Sequence, residues 1–208
     1  MEYKIVVLGG GGFLTSKFIE NTKFSKENFF LLSQSKGDFN LQDSNSLIST
    51  LNELNPSHVL NFCALTSVEE CEVNPEKAFL LNAFLPKLLV EWSMREKYVL
   101  QISTDQVYNK HLSSEGDINA TNVYGTTKFL GDKFIFGENS AILRTNFVGK
   151  SVKKGYESFS DWIMSNVLSG SHVRLFEDVC FNPLHVSTLA KIIDIFIERK
   201  QEGIFNAG

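Results

Sequence analysis

The chain lacks most of the features that would assign it at a glance. It has no basic run: 20 lysines and arginines stand against 24 aspartates and glutamates, a net charge of −4 over 208 residues. Phosphate backbones are bound by clustered cations, so nucleic acid is excluded as the main partner. Long apolar runs are missing too. The most apolar stretch, Ala78–Val90, is interrupted by Lys87 and falls short of the ~20 apolar residues that span a bilayer, so no membrane partner is expected. Met1-Glu2-Tyr3-Lys4 runs directly into an apolar strand and leaves no room for a signal peptide. Cysteine is scarce. Cys63, Cys71 and Cys180 are odd in number and without Cys-x-x-Cys spacing, which fits reduced packing thiols in a cytoplasmic protein. His58, His111, His172 and His185 are scattered without metal-ligand spacing, so no metal site is expected.

What remains is an ordinary globular composition, 43% hydrophobic and 21% charged, which at this length allows one substantial domain with a small appendage. Short apolar runs alternate with longer amphipathic segments, with no internal repeat. Lys4–Leu8, Asn28–Leu32, His58–Asn61, Tyr98–Ile102 and Ala141–Leu143 read as strands apolar on both faces, as in a covered parallel sheet. Leu14–Asn21, Ser44–Leu54, Pro75–Arg95 and Val123–Phe136 read as helices between them, with Asp43 and Ser44 able to cap the second and Pro75 opening the third. Strand–helix–strand at this spacing means an α/β fold with a doubly wound parallel sheet. Such sheets bind ligands beyond the carboxyl ends of their strands. The residues after each strand are therefore the ones to inspect.

After the first strand stands Gly9-Gly10-Gly11-Gly12-Phe13-Leu14-Thr15. Glycines let the backbone turn and approach a pyrophosphate, and the helix that follows offers N–H groups to phosphates. A glycine run by itself is also a plain turn; its place between a strand and a helix favours a dinucleotide. Thr15 stands where a third glycine is usual. After the second strand, Ser33-Gln34-Ser35-Lys36 contains no acid for a ribose 2′-hydroxyl, which favours NADP over NAD unless these are merely solvated loop residues. Asp38-Phe39-Asn40 follows and could flank an adenine. After the third strand, Cys63 and Ala64 are small enough to let backbone pass close to a flat cofactor, while Glu69–Glu72 reads as a solvated face. After the fourth come Ser103-Thr104-Asp105-Gln106, and some twenty residues on a Tyr-x-x-x-Lys, Tyr124 to Lys128. Residues four apart share a helix face. A neighbouring ammonium favours the phenolate, and lowering a phenol by ~3 pH units takes about 4 kcal/mol, which Lys128 and a nicotinamide ring would jointly supply. The Thr104 hydroxyl would hold the oxygen that gains or loses the proton. Tyr-x-x-x-Lys alone is common as a surface pair; three signals at three ends of one sheet are not.

These blocks, with Asn82-Ala83, Asn122-Val123-Tyr124-Gly125-Thr126-Thr127-Lys128-Phe129-Leu130-Gly131-Asp132 and Leu143-Arg144-Thr145, resemble the extended short-chain dehydrogenase/reductases, and among them most closely the dTDP-4-dehydrorhamnose reductases. The resemblance covers essentially the whole chain. It implies a Rossmann-type NAD(P)-binding domain over residues 1–145 and a small, incomplete C-terminal substrate lobe over 146–208, interleaved with the last sheet elements. It implies Tyr124 as proton donor, Lys128 on the nicotinamide ribose and Thr104 on the substrate carbonyl. Gly9, Gly12, Phe13 and Leu14 would meet the pyrophosphate, Asp38 and Phe39 the adenosine, and Cys63, Ala64, Thr66 and Asn82 the rest of the cofactor. The sugar would lie against Thr104, Asp105, Gln106 and Phe147. The implied reaction is reduction of a nucleotide-linked 4-keto-6-deoxy sugar. Two departures fall at that sugar site: Gln106 stands where the family has an aromatic residue, and Phe147 where it has Trp. The chain also stops at the strand Gly203–Gly208, before the family's last segment. Two other readings share the fold: a related epimerase or dehydratase, and a cofactor-binding regulatory subunit without turnover. A homodimer through Pro75–Arg95 and Val123–Phe136 is left open.

Overall fold

The computed structural model describes residues 3–94, 96–110, 112–135, 137–151, 158–173 and 182–208. His111 and Cys180, and the helix ends expected at Arg95 and Phe136, lie outside the described residues. Six parallel strands form one sheet: β1 (Ile5–Leu8), β2 (Phe29–Leu32), β3 (His58–Asn61), β4 (Tyr98–Ser103), β5 (Ser140–Thr145) and β8 (Gly203–Ala207), in the order β2-β1-β3-β4-β5-β8. The order reverses between β1 and β3, and that reversal opens a crevice beyond their carboxyl ends.

The strands are apolar on both faces because both faces are covered. Val6, Leu8, Val59, Val99 and Ile142 pack beneath α2 (Ser44–Leu54), through Leu47 and Leu51, and beneath the helices that end with α6 (Val123–Phe134). Ile5, Val7, Leu60, Leu100 and Leu143 pack on the other side against α1 (Phe13–Asn21) and α8 (Val186–Arg199). The expected strands and helices are present, with ends moved by one or two residues where described. Asp43 caps α2 by accepting from Asn45 N, and Ser44 is the first residue inside the helix.

Several segments add to the sequence reading. Glu69–Glu72 lies within a short helix, α3 (Val68–Val73), with Glu69 and Glu72 exposed and Cys71 turned into the core. The helix expected over Pro75–Arg95 is broken in register. It runs as α4 (Pro75–Phe79), one π turn (Leu80–Phe84) and α5 (Leu85–Ser93). The cause is Pro86, which has no N–H for the carbonyl four residues earlier, that of Asn82. α7 (Phe159–Ser169) opens on a Ser158–Asp161 capping box, and β6 (Phe147–Val148) pairs with β7 (Leu184–His185) in a separate two-stranded sheet. α8 carries Leu189, Ala190, Ile193 and Ile197 on one buried stripe, a helical period legible in the sequence but not used there. β8 then pairs with β5 and extends the main sheet, so the C-terminal third of the chain divides between the sheet and a small outer layer.

Candidate active site

The crevice is built by backbone closeness. Gly9 has φ +90°, and an added Cβ would stand 3.0 Å from Cys63 N at the end of β3, so only glycine lets β1 turn this close to β3. Gly9 and Gly10 both donate to Leu32 O, at 3.0 and 2.9 Å, and Gly12 N donates to Gly9 O at 2.8 Å. Thr15 is buried in the place of a third glycine, and its Oγ1 donates to the Gly9 carbonyl at 2.7 Å, so the hydroxyl closes the turn from inside. Gly12 begins α1 without a side-chain cap, leaving the first helical turn oriented at the crevice. Leu14 turns its side chain into the core. Anything it offers a pyrophosphate is backbone.

Beyond β2, the Asp38 carboxylate accepts from Ser33 N at 2.8 Å and fixes the loop, while Ser33 and Ser35 share a hydroxyl contact at 2.9 Å. Phe39 is buried in the core rather than facing outward, because its ring fills the space beside Leu41 and Leu47. A cavity of about 530 Å3 opens beside Gln34, Leu41, Val73 and Leu81, on the β2 side and away from Tyr124. Leu41 and Leu81 carried no motif in the sequence.

After β3, Cys63 and Ala64 are half-buried and Thr66 is exposed, and Cys63 N donates to Asn61 Oδ1 at 3.1 Å. Asn82 does not reach into the crevice. It is wholly buried in the π turn, where Oδ1 accepts from Leu65 N at 2.9 Å and Nδ2 donates to Leu65 O and to Thr127 Oγ1 at 3.0 and 3.1 Å. Its polar atoms are spent on holding the loop after β3 against α6.

The three residues expected to do chemistry come together at the end of β4. Thr104 follows the strand and caps the turn after it, its Oγ1 accepting from Gln106 N at 3.1 Å and donating to Asp105 Oδ1 at 3.4 Å, with the Tyr124 phenol beside it. Asn122 starts α6 by accepting from Gly125 N at 2.7 Å, which fixes the rotation that sends Tyr124 and Lys128 inward. Lys128 is fully buried, and its Nζ donates to Ile102 O at 2.7 Å. Burial pushes the Lys128 ammonium down to about 8, although Asp132 and Cys63 favour its charge.

Tyr124 differs from the sequence reading. Burial pushes its phenol up to about 12, and the opposing influence is the adjacent Thr104 hydroxyl rather than Lys128. The ammonium is turned onto the Ile102 carbonyl, and the nearby Asp105 repels a phenolate. As built by the chain alone, the site holds a protonated phenol.

On the outer side, Phe147 in β6 stacks on Phe13, ring centroids 6.2 Å apart at 17°, so the start of α1 and the candidate sugar strand meet. Asp105 accepts from Asn146 Nδ2 at 3.3 Å, and Gln106 is exposed beside them.

Residues 3–208 match the family described as RmlD substrate binding domain. The chain belongs to that family. Among relatives of this RmlD-like chain, the spore coat polysaccharide biosynthesis protein SpsK of Bacillus subtilis is 26% identical over 198 residues, 91% of this chain and 68% of that protein. The probable low-salt glycan biosynthesis reductase Agl14 of Haloferax volcanii is 28% identical, over 80% of this chain and 58% of its own length. The structure of dTDP-4-dehydrorhamnose reductase from Bacillus anthracis in complex with NADP superposes with a TM-score of 0.86 at 19% identity, over 100% of this chain and 75% of that one. The fold is therefore the Rossmann-type α/β fold of the RmlD-like reductases. The chain spans between 39% and 68% of the length of the curated relatives it matches.

Sequence reasoning passed over a buried ion pair of this RmlD-like chain. Arg144, inside a strand whose six residues are all buried, donates from Nε to Asp132 Oδ2 at 2.8 Å. Its Nη1 donates to Tyr108 OH at 2.7 Å and Glu115 O at 2.8 Å, and Tyr108 OH donates to Asn206 Oδ1 at 2.8 Å. This network ties α6, β5, β8 and the loop after β4. A charged residue flanked by strand-forming apolar ones was the available signal.

Proposed function

We propose that this chain binds a nicotinamide dinucleotide along the β1/β3 crevice and reduces the 4-keto group of a nucleotide-linked 6-deoxy sugar, in cytoplasmic synthesis of a surface polysaccharide. The observation that carries the reading is the burial of Thr104, Tyr124 and Lys128 together at the mouth of that crevice, with the Thr104 hydroxyl beside the Tyr124 phenol. The crevice fits such a cofactor. Gly9 lets β1 turn hard against β3, where a Cβ would press on Cys63 N and Phe62 C at 3.0 Å, so backbone lines the crevice, and α1 starts there without a side-chain cap. The cofactor would supply the hydride to the carbonyl carbon. The chain supplies the proton. Tyr124, protonated throughout the neutral range, donates its O–H to the developing alkoxide, and Thr104 holds the same oxygen by hydrogen bond. Lys128 supplies the positive charge that stabilises the tyrosinate left behind.

NADP is favoured over NAD. Ser33, Gln34, Ser35 and Lys36 follow β2 without an acid to repel a 2′-phosphate, and Asp38 is engaged with Ser33 N. The names of the relatives, a glycan biosynthesis reductase and a reductase bound to NADP, support the same substrate and cofactor classes. Residues 146–208 supply one wall of the sugar site through Asn146 and Phe147.

The test is a fluorescence titration with NADPH and NADH, followed by addition of dTDP-4-keto-6-deoxyglucose to the wild type and Tyr124→Phe. Tighter NADPH binding, oxidation on adding the sugar, and a loss of about 10²–10⁴-fold in rate with intact cofactor binding in Tyr124→Phe are expected. Unchanged turnover in Tyr124→Phe would refute the proton donor, and a clear NADH preference would refute the 2′-phosphate assignment.

A further inference from the structure

Resting on that reading of Lys128 and Tyr124, we propose that Asp132 is a positioning residue of the site: held from below by Arg144, its carboxylate keeps Lys128 charged beside the tyrosine. The geometry begins with the helix. Tyr124, Lys128 and Asp132 recur at intervals of four and so share one face of α6, and all three are buried. The Lys128 ammonium makes its hydrogen bond to a neutral carbonyl, that of Ile102. A buried ammonium partnered only by a neutral acceptor sheds its proton, because desolvation penalises the charged form. An anion one turn along the same buried face counters that.

Asp132 is placed and prepared to be that anion. Burial raises its carboxyl, but Arg144 stands 2.8 Å away, and a guanidinium does not deprotonate, so the pair holds the carboxylate ionised at neutral pH. Only Oδ2 is used in that ion pair. Oδ1 is buried without a well-formed hydrogen bond, at the margin of contact with the Ser103 hydroxyl, itself buried and unsatisfied. A carboxylate serving packing alone would have both oxygens bonded, since an unmet buried acceptor is costly. Ser103, the β4 residue beside Asp132, directly follows Ile102, whose carbonyl Lys128 binds.

The other titratable and charged groups facing Lys128 or its helix neighbours Tyr124 and Asp132 are Cys63 from the end of β3, which faces Lys128, Asp105 from the turn after β4 and Cys71 from α3, which face Tyr124, and Arg144 from β5, which faces Asp132. Burial pushes the Cys63 thiol up to about 11 and raises that of Cys71, so both are neutral at working pH. Asp105 is committed to Asn146 and Thr104 on the outer side. Asp132 is left as the carboxylate that acts on Lys128 from within.

The experiment follows Lys128 itself, without substrate or cofactor. Protein labelled with 13C and 15N at the lysine side chains is titrated from pH 6 to 10 by NMR, with Lys128 assigned through Lys128→Arg. Lys128 is expected to titrate near 8 in the wild type. Its proton affinity should fall at least tenfold in Asp132→Asn and stay near the wild-type value in Asp132→Glu. A folded Asp132→Asn whose Lys128 titrates unchanged overturns the proposal. If the lone Arg144 prevents that variant from folding, Asp132→Asn/Arg144→Met removes both charges and is read in the same way. In turnover, the alkaline limb of the rate should move to lower pH in Asp132→Asn, whereas a merely structural loss would scale the rate equally at every pH. Failure of the reductase reading would show as absent NADPH oxidation with the Lys128 titration still shifted, so the two failures are distinct.

Discussion

Gly131→Ala exposes how α6 is seated. By intrinsic preference the change should help, since glycine inside a helix costs about 1 kcal/mol relative to alanine. The structure reverses the sign. A Cβ on Gly131 would stand 2.1 Å from Asn82 O and 3.2 Å from both Asn82 C and Pro86 Cγ. The nearest obstacle is backbone in the π turn, and it cannot swing aside as a side-chain tip would. Either α6 or the π turn must retreat by about an ångström, and overpacking of a tight core costs about 1–3 kcal/mol. Taking about 3 kcal/mol for a backbone obstacle and subtracting the helix gain of about 1 leaves a net loss of about 2 kcal/mol. For a chain of this size that lowers Tm by roughly 4–8 °C. Because α6 also carries Tyr124 and Lys128, NADPH affinity should weaken as well. Urea unfolding followed by circular dichroism, with a parallel NADPH titration, measures both. A Gly131→Ala protein as stable as the wild type, or more stable, would refute this account of the helix seat.

Two further outcomes follow from buried groups. His58 is pushed down from 6.5 to about 4 by burial and by Lys200, so the folded chain binds fewer protons than the unfolded one: its stability is complete above about 6.5 and is lost as pH falls toward 4. The gap is worth about 3 kcal/mol at 1.36 kcal/mol per pH unit, and urea midpoints at pH 7, 5.5 and 4.5 should fall more steeply for the wild type than for His58→Gln; equal slopes would refute it. Asn82→Ala should cost about 2–3 kcal/mol, because it leaves the buried Leu65 N–H without its acceptor, and should loosen the loop bearing Cys63 and Ala64. Thermal unfolding with and without NADPH checks both effects, and an unchanged Tm would refute the first.

The sequence by itself determined the layers and the place of the site. Apolar runs such as Ile5–Leu8 and Tyr98–Ile102, separated by amphipathic segments, admit little besides a covered parallel sheet, and parallel sheets put their chemistry at the carboxyl ends. Spacing alone also put Tyr124 and Lys128 on one helix face, because a helical period is local. Tertiary structure decided what depends on residues far apart in the chain. Pro86 breaks its helix locally, but the seating of the resulting π turn against Gly131, 45 residues beyond Pro86, is a tertiary contact. Asn82 and Phe39 turned inward because loop and core needed them more than a ligand did. The ionisation of Tyr124 was beyond any motif, since it is set by how completely the folded chain removes water from the phenol and by which way Lys128 turns. The Arg144–Asp132 pair joins a strand to a helix across the sheet, and no period in the sequence marks a contact of that kind.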